Sequence, residues 1–313
     1  MNTIITITLN TAIDRTFFID NFKWGHTIRS TNTAIGMGGK PADASWILSE
    51  LGYPNLAMGF AAGLVGRQMK KMLEERGSKT NFVWVRGETR TNIIVISNKE
   101  GRGQSTLTSG GLIVSDYDIK RLWKKFDVGL KGARCVVIGG SLPEGVDPSI
   151  YTHMVRHARE AGLPVIFDAS GPGLKAGLEG HPTIVKPNLD ELSGLADNKI
   201  RSTRQAFEIA QVLRAKYQTN FIITLGEEGA LAVLADRCYR IPVIDIPVVS
   251  TAGAGDGVLA GLSAAFYAGK PIEDGLRLGF AAAAAVCLTP ATADCRFEDV
   301  RDLLPKVQLI PYT

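Results

Sequence analysis

The sequence predicts an α/β fold in which helices cover both faces of a mostly parallel sheet and a small β-sheet forms a lid. From about residue 116 to residue 225, short apolar runs alternate with helical segments, a pattern typical of a parallel sheet. Two looser pairs of strand-like runs, at about residues 12–35 and 90–108, fall outside this alternation and are interpreted as the lid. Because no repeat or low-complexity linker interrupts the chain, we expect one domain over residues 1–313, with the lid as an insertion.

The composition is that of a globular protein, with 45% hydrophobic and 21% charged residues and a formal net charge of +4 over 313 residues. The mild charge and the lack of a dense Lys/Arg block indicate neither nucleic acid nor a membrane surface as a partner. No apolar run approaches the length of a membrane span, and the chain opens directly on a predicted strand, so we expect a cytoplasmic protein. The four cysteines form no C-x-x-C pair and are predicted to be buried thiols.

The first part of the chain supplies two sheet strands, four lid strands and two helices. They are residues 3–9 and 56–61 for the sheet, 13–20, 26–35, 92–97 and 104–108 for the lid, and 41–51 and 66–76 for the helices. The sheet runs are apolar, and the first is rich in β-branched residues. The first helix carries Pro41 at its first position, where a missing N–H costs nothing. A glycine break at residues 36–40 precedes it, and a Gly/Lys/Arg turn joins the last two lid strands.

The rest of the chain follows the regular alternation. Its predicted strands are residues 135–139, 164–168, 183–186 and 220–225, and its predicted helices are residues 116–126, 148–161, 189–195 and 203–217. An apolar run at residues 241–249 is then interpreted as a strand that enters a glycine turn, and a run of small apolar residues after the turn predicts a further helix.

Polar residues and glycines follow the predicted strands at their carboxyl ends. Open parallel sheets bind ligands beyond that edge, so we expect the binding site there. The segments are Asn10, Asp14, residues 140–145, 168–171 and 186–188, Gly226, and residues 253–256.

The turn at residues 253–256 carries the most specific chemistry. Gly253 and Gly255 leave the backbone free of side chains, so that consecutive N–H groups and the positive end of the following helix can hold an anion. Asp256 lies in the same turn, where a carboxylate beside a held phosphate could accept a proton from an attacking hydroxyl group. A glycine helix cap with a solvated aspartate is the alternative interpretation.

Two further motifs have both a functional and a structural interpretation. Residues 36–40 resemble a Walker A phosphate loop but lack its first glycine, and Pro41 replaces its Ser/Thr. Lys40 could still reach a phosphate, or it could be an exposed lysine after a turn. Asn188 and Glu191 have the spacing of a helix capping box, and they could equally hold the water shell of a nucleotide-bound Mg²⁺.

Six motifs that occur in one order along the chain carry a family resemblance. They are Thr8-Leu-Asn-Thr-Ala-Ile-Asp14, Gly38-Gly-Lys40, Gly87-Glu-Thr-Arg-Thr-Asn92, Gly140-Ser-Leu-Pro-Glu-Gly145, Lys186-Pro-Asn-Leu-Asp-Glu191 and Ser250-Thr-Ala-Gly-Ala-Gly-Asp256. Over essentially its full length the chain resembles the ribokinase/PfkB carbohydrate kinases, and it looks most like the branch of 1-phosphofructokinase, tagatose-6-phosphate kinase and the minor 6-phosphofructokinase. The resemblance implies a ribokinase-like three-layer sandwich with a β-lid and a homodimer formed through the lid. It also implies phosphorylation of a sugar or sugar phosphate with ATP and Mg²⁺.

The matched positions imply roles for individual residues. Asp256 corresponds to the catalytic base, and the backbone of Ala252, Gly253, Ala254 and Gly255 corresponds to an anion hole. The residues implied to hold the sugar and its phosphate are Asp14, Gly38, Gly39, Lys40, Asp43 and Arg90. Those implied to serve the nucleotide are Lys186, Asn188, Thr224, Gly226 and Gly229, with Glu191 near Mg²⁺ through water.

The chain departs from the family pattern at three places. Pro41 and Asp43 stand in a segment that usually reads Gly-Gly-Lys-Gly-Ile-Asn, Thr11 stands where proline is usual, and residues 290–292 replace a Gly-Thr near the adenine pocket. An ionised Asp43 accepts hydrogen bonds from sugar hydroxyl groups but repels a phosphate within a few Å. We therefore expect a shifted preference for the acceptor.

Three functions are compatible with these residues. The first is a kinase of a ketohexose phosphate, of the fructose 1-phosphate, fructose 6-phosphate or tagatose 6-phosphate type. The second is a kinase of an unphosphorylated sugar or polyol, and the third is a sugar- or nucleotide-binding regulator without catalysis. The intact turn at Asp256 disfavours the regulator, because a binding protein needs no base there.

Overall fold

The structure is a computed structural model that describes residues 2–97 and 103–313, and these ranges contain sixteen strands and ten α-helices. The strands are β1 (Thr3–Thr8), β2 (Ala12–Ile19), β3 (Asn32–Gly38), β4 (Asn55–Ala61), β5 (Lys79–Trp84), β6 (Arg86–Gly87), β7 (Arg90–Ser97), β8 (Gln104–Leu107), β9 (Leu112–Ile113), β10 (Ala133–Gly140), β11 (Val165–Ala169), β12 (Ile184–Val185), β13 (Asn220–Thr224), β14 (Ala230–Val233), β15 (Cys238–Ile241) and β16 (Ile310–Pro311). The helices are α1 (Lys40–Glu50), α2 (Gly63–Glu75), α3 (Asp116–Leu130), α4 (Ser149–Glu160), α5 (Pro172–Leu178), α6 (Leu189–Leu195), α7 (Thr203–Tyr217), α8 (Ala254–Ala268), α9 (Ile272–Cys287) and α10 (Phe297–Leu303).

Ten strands form the central sheet, in the order β5-β4-β1-β10-β11-β12-β13-β14-β15-β16. The first seven of these pair in parallel, and the last three are added antiparallel. Both faces are covered, because Ile5 and Ile7 of β1 belong to an apolar cluster that includes residues of α3 to α7. Ile4 belongs to a second cluster, which includes residues of α1, α8, α9 and α10. Burial on both faces explains why β1 reads as a continuous apolar run.

The lid is a four-stranded sheet in the order β3-β2-β7-β8, in which β2 and β7 are parallel and the outer pairs are antiparallel. Its register places Asp14 between Gly36 and Asn92. The inner lid residues Phe18 and Ile94 pack with Ala252 of the glycine turn. The lid therefore lies directly over the carboxyl edge of the central sheet.

Two predicted boundaries were wrong for identifiable reasons. The run at 241–249 extends β15 no further than Ile241, because Pro242 and Pro247 lack the N–H groups that a strand would donate. The predicted lid strand at 26–35 begins only at Asn32 and continues to Gly38, so the predicted glycine break is largely strand. The sequence analysis also assigned no element to β5, β14 or α9. The predicted turn between β7 and β8 includes residues 98–102, which lie outside the described residues.

The four cysteines are free thiols, with Cys135 and Cys295 buried and Cys238 and Cys287 half-buried. The prediction of thiols is thus confirmed, although burial is complete for only two. Within residues 2–97 and 103–313, no helix combines the length and the apolar character needed to cross a bilayer. The cytoplasmic location and the treatment of the lid as an insertion into one domain stay predictions.

Candidate active site

Segments that are distant in the sequence meet at the carboxyl edge of the central sheet, beneath the lid. Asn10, which follows β1, donates from its side chain to Ser141 Oγ (3.2 Å) and to the Leu142 carbonyl (3.1 Å) beyond β10. Arg90 Nη2 at the start of β7 donates to the Asn10 carbonyl over 2.7 Å. These contacts join the first, third and fourth sequence motifs into one wall of the site.

The glycine turn opens helix α8 as predicted. Gly253 adopts a left-handed conformation (φ 78°), and a side chain there would collide with the Ala293 backbone, 2.4 Å from its Cβ. Two neighbouring amides are used within the turn, because Ala252 donates to Ser250 Oγ (3.2 Å) and Ala254 donates to the Thr251 carbonyl (3.3 Å). Gly255 is the second residue of α8. The N–H groups of a first helical turn lack the usual intrahelical acceptor and form the positive end of the helix.

A buried carboxylate, Asp168 at the end of β11, pairs with two lysines. Lys40 Nζ donates to Asp168 Oδ1 and, over 3.0 Å, to Glu191 Oε1. Lys186 Nζ lies 2.7 Å from Asp168 Oδ2. Burial by itself would raise the pKa of Asp168, but the charges of Lys186 and Lys40 outweigh it and hold that pKa below its usual value. Asp168 is therefore held as a carboxylate.

This lysine pair borders the glycine turn. A Cβ on Gly255 would lie 3.2 Å from Lys186 Nζ. Burial lowers the pKa of Lys40, and the charges of Asp168 and Glu191, with a smaller contribution from Asp256, more than reverse that effect and raise it. The two lysines thus place positive charge beside the turn. The start of α8 lies at the same turn, and its dipole also attracts an anion.

The next strands of the sheet bring the predicted nucleotide residues together. Asn188 and Glu191 form the capping box of α6, with Asn188 Oδ1 accepting from Glu191 N (2.8 Å) and Glu191 Oε2 accepting from Asn188 N (2.9 Å). Asn188 also pairs with Thr224 in a β-bridge, and the turn carrying Gly226 and Gly229 follows β13. The structural interpretation of the Asn188 motif is confirmed, and the nucleotide role stays a prediction.

The lid side of the site is acidic. Asp14 is buried, and its Oδ1 accepts from Asn92 Nδ2 over 2.7 Å. Gly38 lies so close that a Cβ there would be 2.3 Å from Asp14 Oδ1, which explains a glycine at this position. Asp43 in α1 interacts electrostatically with Asp256, Asp14 and Arg90. Arg90 is the cation that faces both Asp14 and Asp43.

Burial raises the pKa of three carboxyl groups in the site, those of Asp14, Asp43 and Asp256. For Asp14, hydrogen bonds from its neighbours and the charge of Arg90 limit this effect. For Asp43, burial together with the charges of Asp256 and Asp14 holds the pKa well above its usual value. Burial, and then the charge of Asp168, raises the pKa of Asp256 to about 7, although Lys186 and Lys40 oppose the shift. Such a carboxyl group is poised to exchange protons near neutral pH.

The structure thus brings the predicted residues to one edge of the sheet, and their charged side chains form two groups, one around Asp168 and one around Arg90. Lys40, predicted beside the sugar phosphate, points to Asp168 and Glu191 rather than to Arg90. The sequence analysis missed Asp168 as a site residue, although it recognised residues 168–171 as strand-end punctuation. Thr292 belongs to the segment 290–292, which the sequence indicated near the adenine pocket, but its side chain lies close to Asp14.

A metal ion held by protein ligands alone does not fit this site. Among the described residues, no group of three or more His, Cys, Asp or Glu side chains is placed to bind one. Glu191 offers one carboxylate with an oxygen paired to Lys40. A single carboxylate fits a Mg²⁺ ion that is held mainly by nucleotide phosphates and water.

An α/β sheet with a lid, a glycine turn at a helix start and a buried carboxylate in that turn form the arrangement expected of a kinase that phosphorylates hydroxyl groups. A comparison with known families agrees, because the model of the pfkB family carbohydrate kinases matches residues 3–299. The chain therefore belongs to this family, and it is a carbohydrate kinase.

Similar proteins include sugar-phosphate kinases of bacteria. The 1-phosphofructokinase of Borreliella burgdorferi is 31% identical over 307 residues, which is 98% of each chain. The tagatose-6-phosphate kinase of Staphylococcus epidermidis is 32% identical over 274 residues, covering 83% of this chain and 84% of that one. A solved structure of phosphofructokinase-2 from Escherichia coli superimposes with a TM-score of 0.88 at 26% identity, covering 98% and 99% of the two chains. The family resemblance and the ribokinase-like fold predicted from the sequence are confirmed.

Proposed function

We propose that this kinase phosphorylates a hydroxyl group of a ketohexose phosphate, of the fructose 1-phosphate, fructose 6-phosphate or tagatose 6-phosphate type, with ATP as the donor. The observation that carries the proposal is the position of Asp256. Its buried carboxyl group stands between the acidic lid side, with Arg90, and the lysine pair Lys40 and Lys186. The names of the two bacterial relatives support a phosphorylated ketohexose as the acceptor.

In the proposed reaction, Asp256 is the general base. The acceptor O–H bond breaks as its proton moves to the Asp256 carboxylate, and the oxygen forms a bond to the terminal phosphorus of ATP. The bond between that phosphorus and the bridging oxygen breaks, and ADP leaves. The Gly255 N–H and the two lysines stabilise the negative charge on the transferring group. Glu191 would hold, through water, a Mg²⁺ ion carried by the nucleotide, and that ion would supply further charge neutralisation.

The nucleotide is proposed to lie along Lys186, Asn188 and Thr224, with its phosphates directed at the turn of Gly253, Ala254 and Gly255. The close approach of Lys186 Nζ to Gly255 supports this path. Gly226 supports it as well, because the space where its Cβ would lie is open. Gly229 has a structural reason to be glycine, since a Cβ would lie 2.1 Å from the Ile241 carbonyl oxygen.

A second candidate is an unphosphorylated sugar or polyol as acceptor, and the charge distribution favours it. Lys40 is paired with Asp168 and Glu191, while Asp14 and Asp43 surround Arg90. A phosphate placed there would meet two carboxyl groups and one guanidinium. Hydroxyl groups, in contrast, donate readily to carboxylate oxygens.

The test of the proposed function is ATP turnover on a panel of acceptors, with the product identified. The panel holds fructose 1-phosphate, fructose 6-phosphate, tagatose 6-phosphate and the corresponding free sugars. We expect the highest kcat/KM for one of the phosphorylated ketohexoses. A preference for a free sugar would establish the second candidate, and no turnover on any acceptor would refute both.

Replacing Arg90 by alanine should raise the KM for a phosphorylated acceptor about tenfold or more and leave the KM for ATP unchanged. A guanidinium binds a phosphate through paired, charge-assisted hydrogen bonds, and Arg90 Nε is buried without a protein partner among the described residues. The measurement is steady-state kinetics with both substrates varied. Equal effects on phosphorylated and free sugars would show that Arg90 only shapes the lid strand.

We also propose that two copies of this chain pair through their lids. The outer lid face carries a row formed by Ile35, Arg15, Ile93 and Leu107 on four adjacent strands. Its three apolar members are 44%, 40% and 57% exposed, respectively. A second lid sheet would cover these side chains and remove their apolar surface from water.

Replacing Ile93 by aspartate should therefore convert a dimer into a monomer, because it replaces one of the three exposed apolar side chains of this row by a charged one. Light scattering should give about twice the 33.6 kDa chain mass for the wild type and the single mass for the variant. The matched control is Val212→Asp on α7, which is also exposed but belongs to a helix that packs with the central sheet rather than to the lid. A monomeric wild type, or an unchanged mass for the Ile93 variant, would contradict the proposal.

A further inference from the structure

Two buried carboxyl groups meet at the centre of the site. Asp43 in the first turns of α1 and Asp256 in the first turn of α8 are 4% and 6% exposed, and their side chains lie within hydrogen-bond reach of each other. Two ionised carboxylates offer only acceptor oxygens and repel each other. A contact of this kind is stable when one proton lies between the two groups.

The surrounding charges favour such a proton. On the nucleotide side, the cations Lys40 and Lys186 are matched by Asp168 and Glu191. On the lid side, Arg90 faces Asp14 and Asp43, and Asp256 adds a third carboxyl group to that pair. One bound proton brings this cluster closer to neutrality.

An unpartnered oxygen points the same way. Asp43 Oδ1 is buried, and no group of the described residues donates a hydrogen bond to it. An ionised carboxylate with such an oxygen would carry the full cost of an unsatisfied buried charge. A proton bound to the Asp43 carboxyl group removes this buried charge.

We propose that Asp43 and Asp256 hold one proton between them in the resting enzyme, and that Asp43 is the positioning residue that orients the base by donating a hydrogen bond to it. The inference rests on the proposed role of Asp256 as the base. During phosphoryl transfer the acceptor proton moves to Asp256, while the proton on Asp43 stays in place. After ADP and the product leave, Asp256 returns its proton to water.

A pair of this kind loses its two protons in two successive steps. The pKa of each step is a property of the pair and not of one residue. The singly protonated pair is the active form, because Asp256 is ionised and Asp43 still donates. Loss of the second proton leaves two adjacent negative charges beside the acceptor. For the wild type, kcat/KM for the acceptor should therefore fall on both the acid and the alkaline side.

Asp43→Asn tests the proposal, because asparagine keeps the size and the donor but has no proton to lose. We expect its kcat/KM to keep the acid limb and to lose the alkaline limb, which in the wild type falls about tenfold per pH unit. Asp43→Ser, which also keeps a donor, should give the same profile and guards against a folding defect of the first variant. An alkaline limb that persists unchanged in both variants would overturn the proposal.

Infrared difference spectra of the free protein supply a readout that needs no turnover. At neutral pH, the C=O stretching band of a protonated carboxyl group should be present in the wild type and in the control Asp274→Asn, which changes an exposed residue of α9. The band should be weaker by one group in Asp43→Asn. If the enzyme turns over but the band is equally strong in the wild type and in Asp43→Asn, only the carboxyl pair is refuted. If the band is weaker in Asp43→Asn but no acceptor is phosphorylated, only the proposed function is refuted.

Discussion

Replacing Asp256 by asparagine is expected to lower kcat about 10²–10⁴-fold, the usual contribution of a general base. Asparagine preserves the size of the side chain and the turn that opens α8, but it cannot accept the proton of the acceptor hydroxyl group. Binding of ATP should change little, because the lysine pair and the Gly255 amide are untouched. Steady-state kinetics and ATP titration of the variant measure both effects, with Asp274→Asn as the control.

The stability of the same variant shows whether it is folded. Because burial raises the pKa of Asp256 to about 7, the stabilising contribution of its proton is complete below the usual value of 3.8 and is lost as the pH rises through about 7. Asparagine at position 256 has no carboxyl group to ionise, so the variant does not lose stability in this way. Its melting temperature at pH 8 should therefore equal or exceed that of the wild type. A variant that keeps most of its kcat, or one that unfolds more easily at pH 8, would contradict the assignment.

The second large effect is expected for Asp168→Asn, which should destabilise the protein by about 3–5 kcal/mol at pH 7. The substitution leaves Lys186, 4% exposed, without its ion-pair partner and leaves Lys40 with Glu191 as its carboxylate partner. An unpaired buried charge costs several kcal/mol, whereas the paired arrangement compensates most of its desolvation. Urea unfolding of the wild type and the variant measures the difference.

The pH dependence of this difference has a defined sign. Lys186 and Lys40 hold the pKa of Asp168 below its usual value of 3.8, so the stability that it contributes is present above that value and is lost as the pH falls through the lowered pKa. The gap between wild type and variant should therefore be large at pH 7 and shrink at strongly acidic pH. A variant as stable as the wild type at pH 7 would show that solvent already screens the two lysines.

The charge division of the site bears on acceptor choice. Lys40 belongs to the network of Asp168 and Glu191, which leaves Arg90 as the cation that faces Asp14 and Asp43. A phosphorylated acceptor bound beside these two carboxyl groups would meet Arg90 as their cationic neighbour. The Arg90→Ala variant and the acceptor panel are for this reason linked experiments.

Local patterns in the sequence were sufficient for most of the fold. The alternation of apolar runs and helical segments predicted the parallel sheet, because strands buried on both faces must be apolar throughout. The glycine turn at Gly253 and the position of Asp256 at the helix start could be predicted for a similar reason. A left-handed backbone position beside a helix start leaves a residue pattern that can be recognised without knowing its neighbours in space.

Other features depended on contacts that no local pattern records. The end of the run at 241–249 is an exception, because Pro242 and Pro247 are visible in the sequence. The small apolar residues of β14 and α9, in contrast, were assigned to no element. The partner of Lys40 could not be read from its motif, since Asp168 reaches it from a different strand of the sheet.

The sequence by itself determined that this protein is an α/β carbohydrate kinase, because the apolar alternation and the ordered family motifs are local features of the chain. It also predicted a base in the glycine turn. Only the tertiary structure decided how the charges are paired. The sequence marked Asp43 as a departure from the family pattern near the acceptor, but it did not indicate a contact with Asp256. That contact arises because α1 and α8 begin side by side at the sheet edge. Burial and neighbouring charge set a pKa, and both are properties of the folded chain rather than of any segment of it.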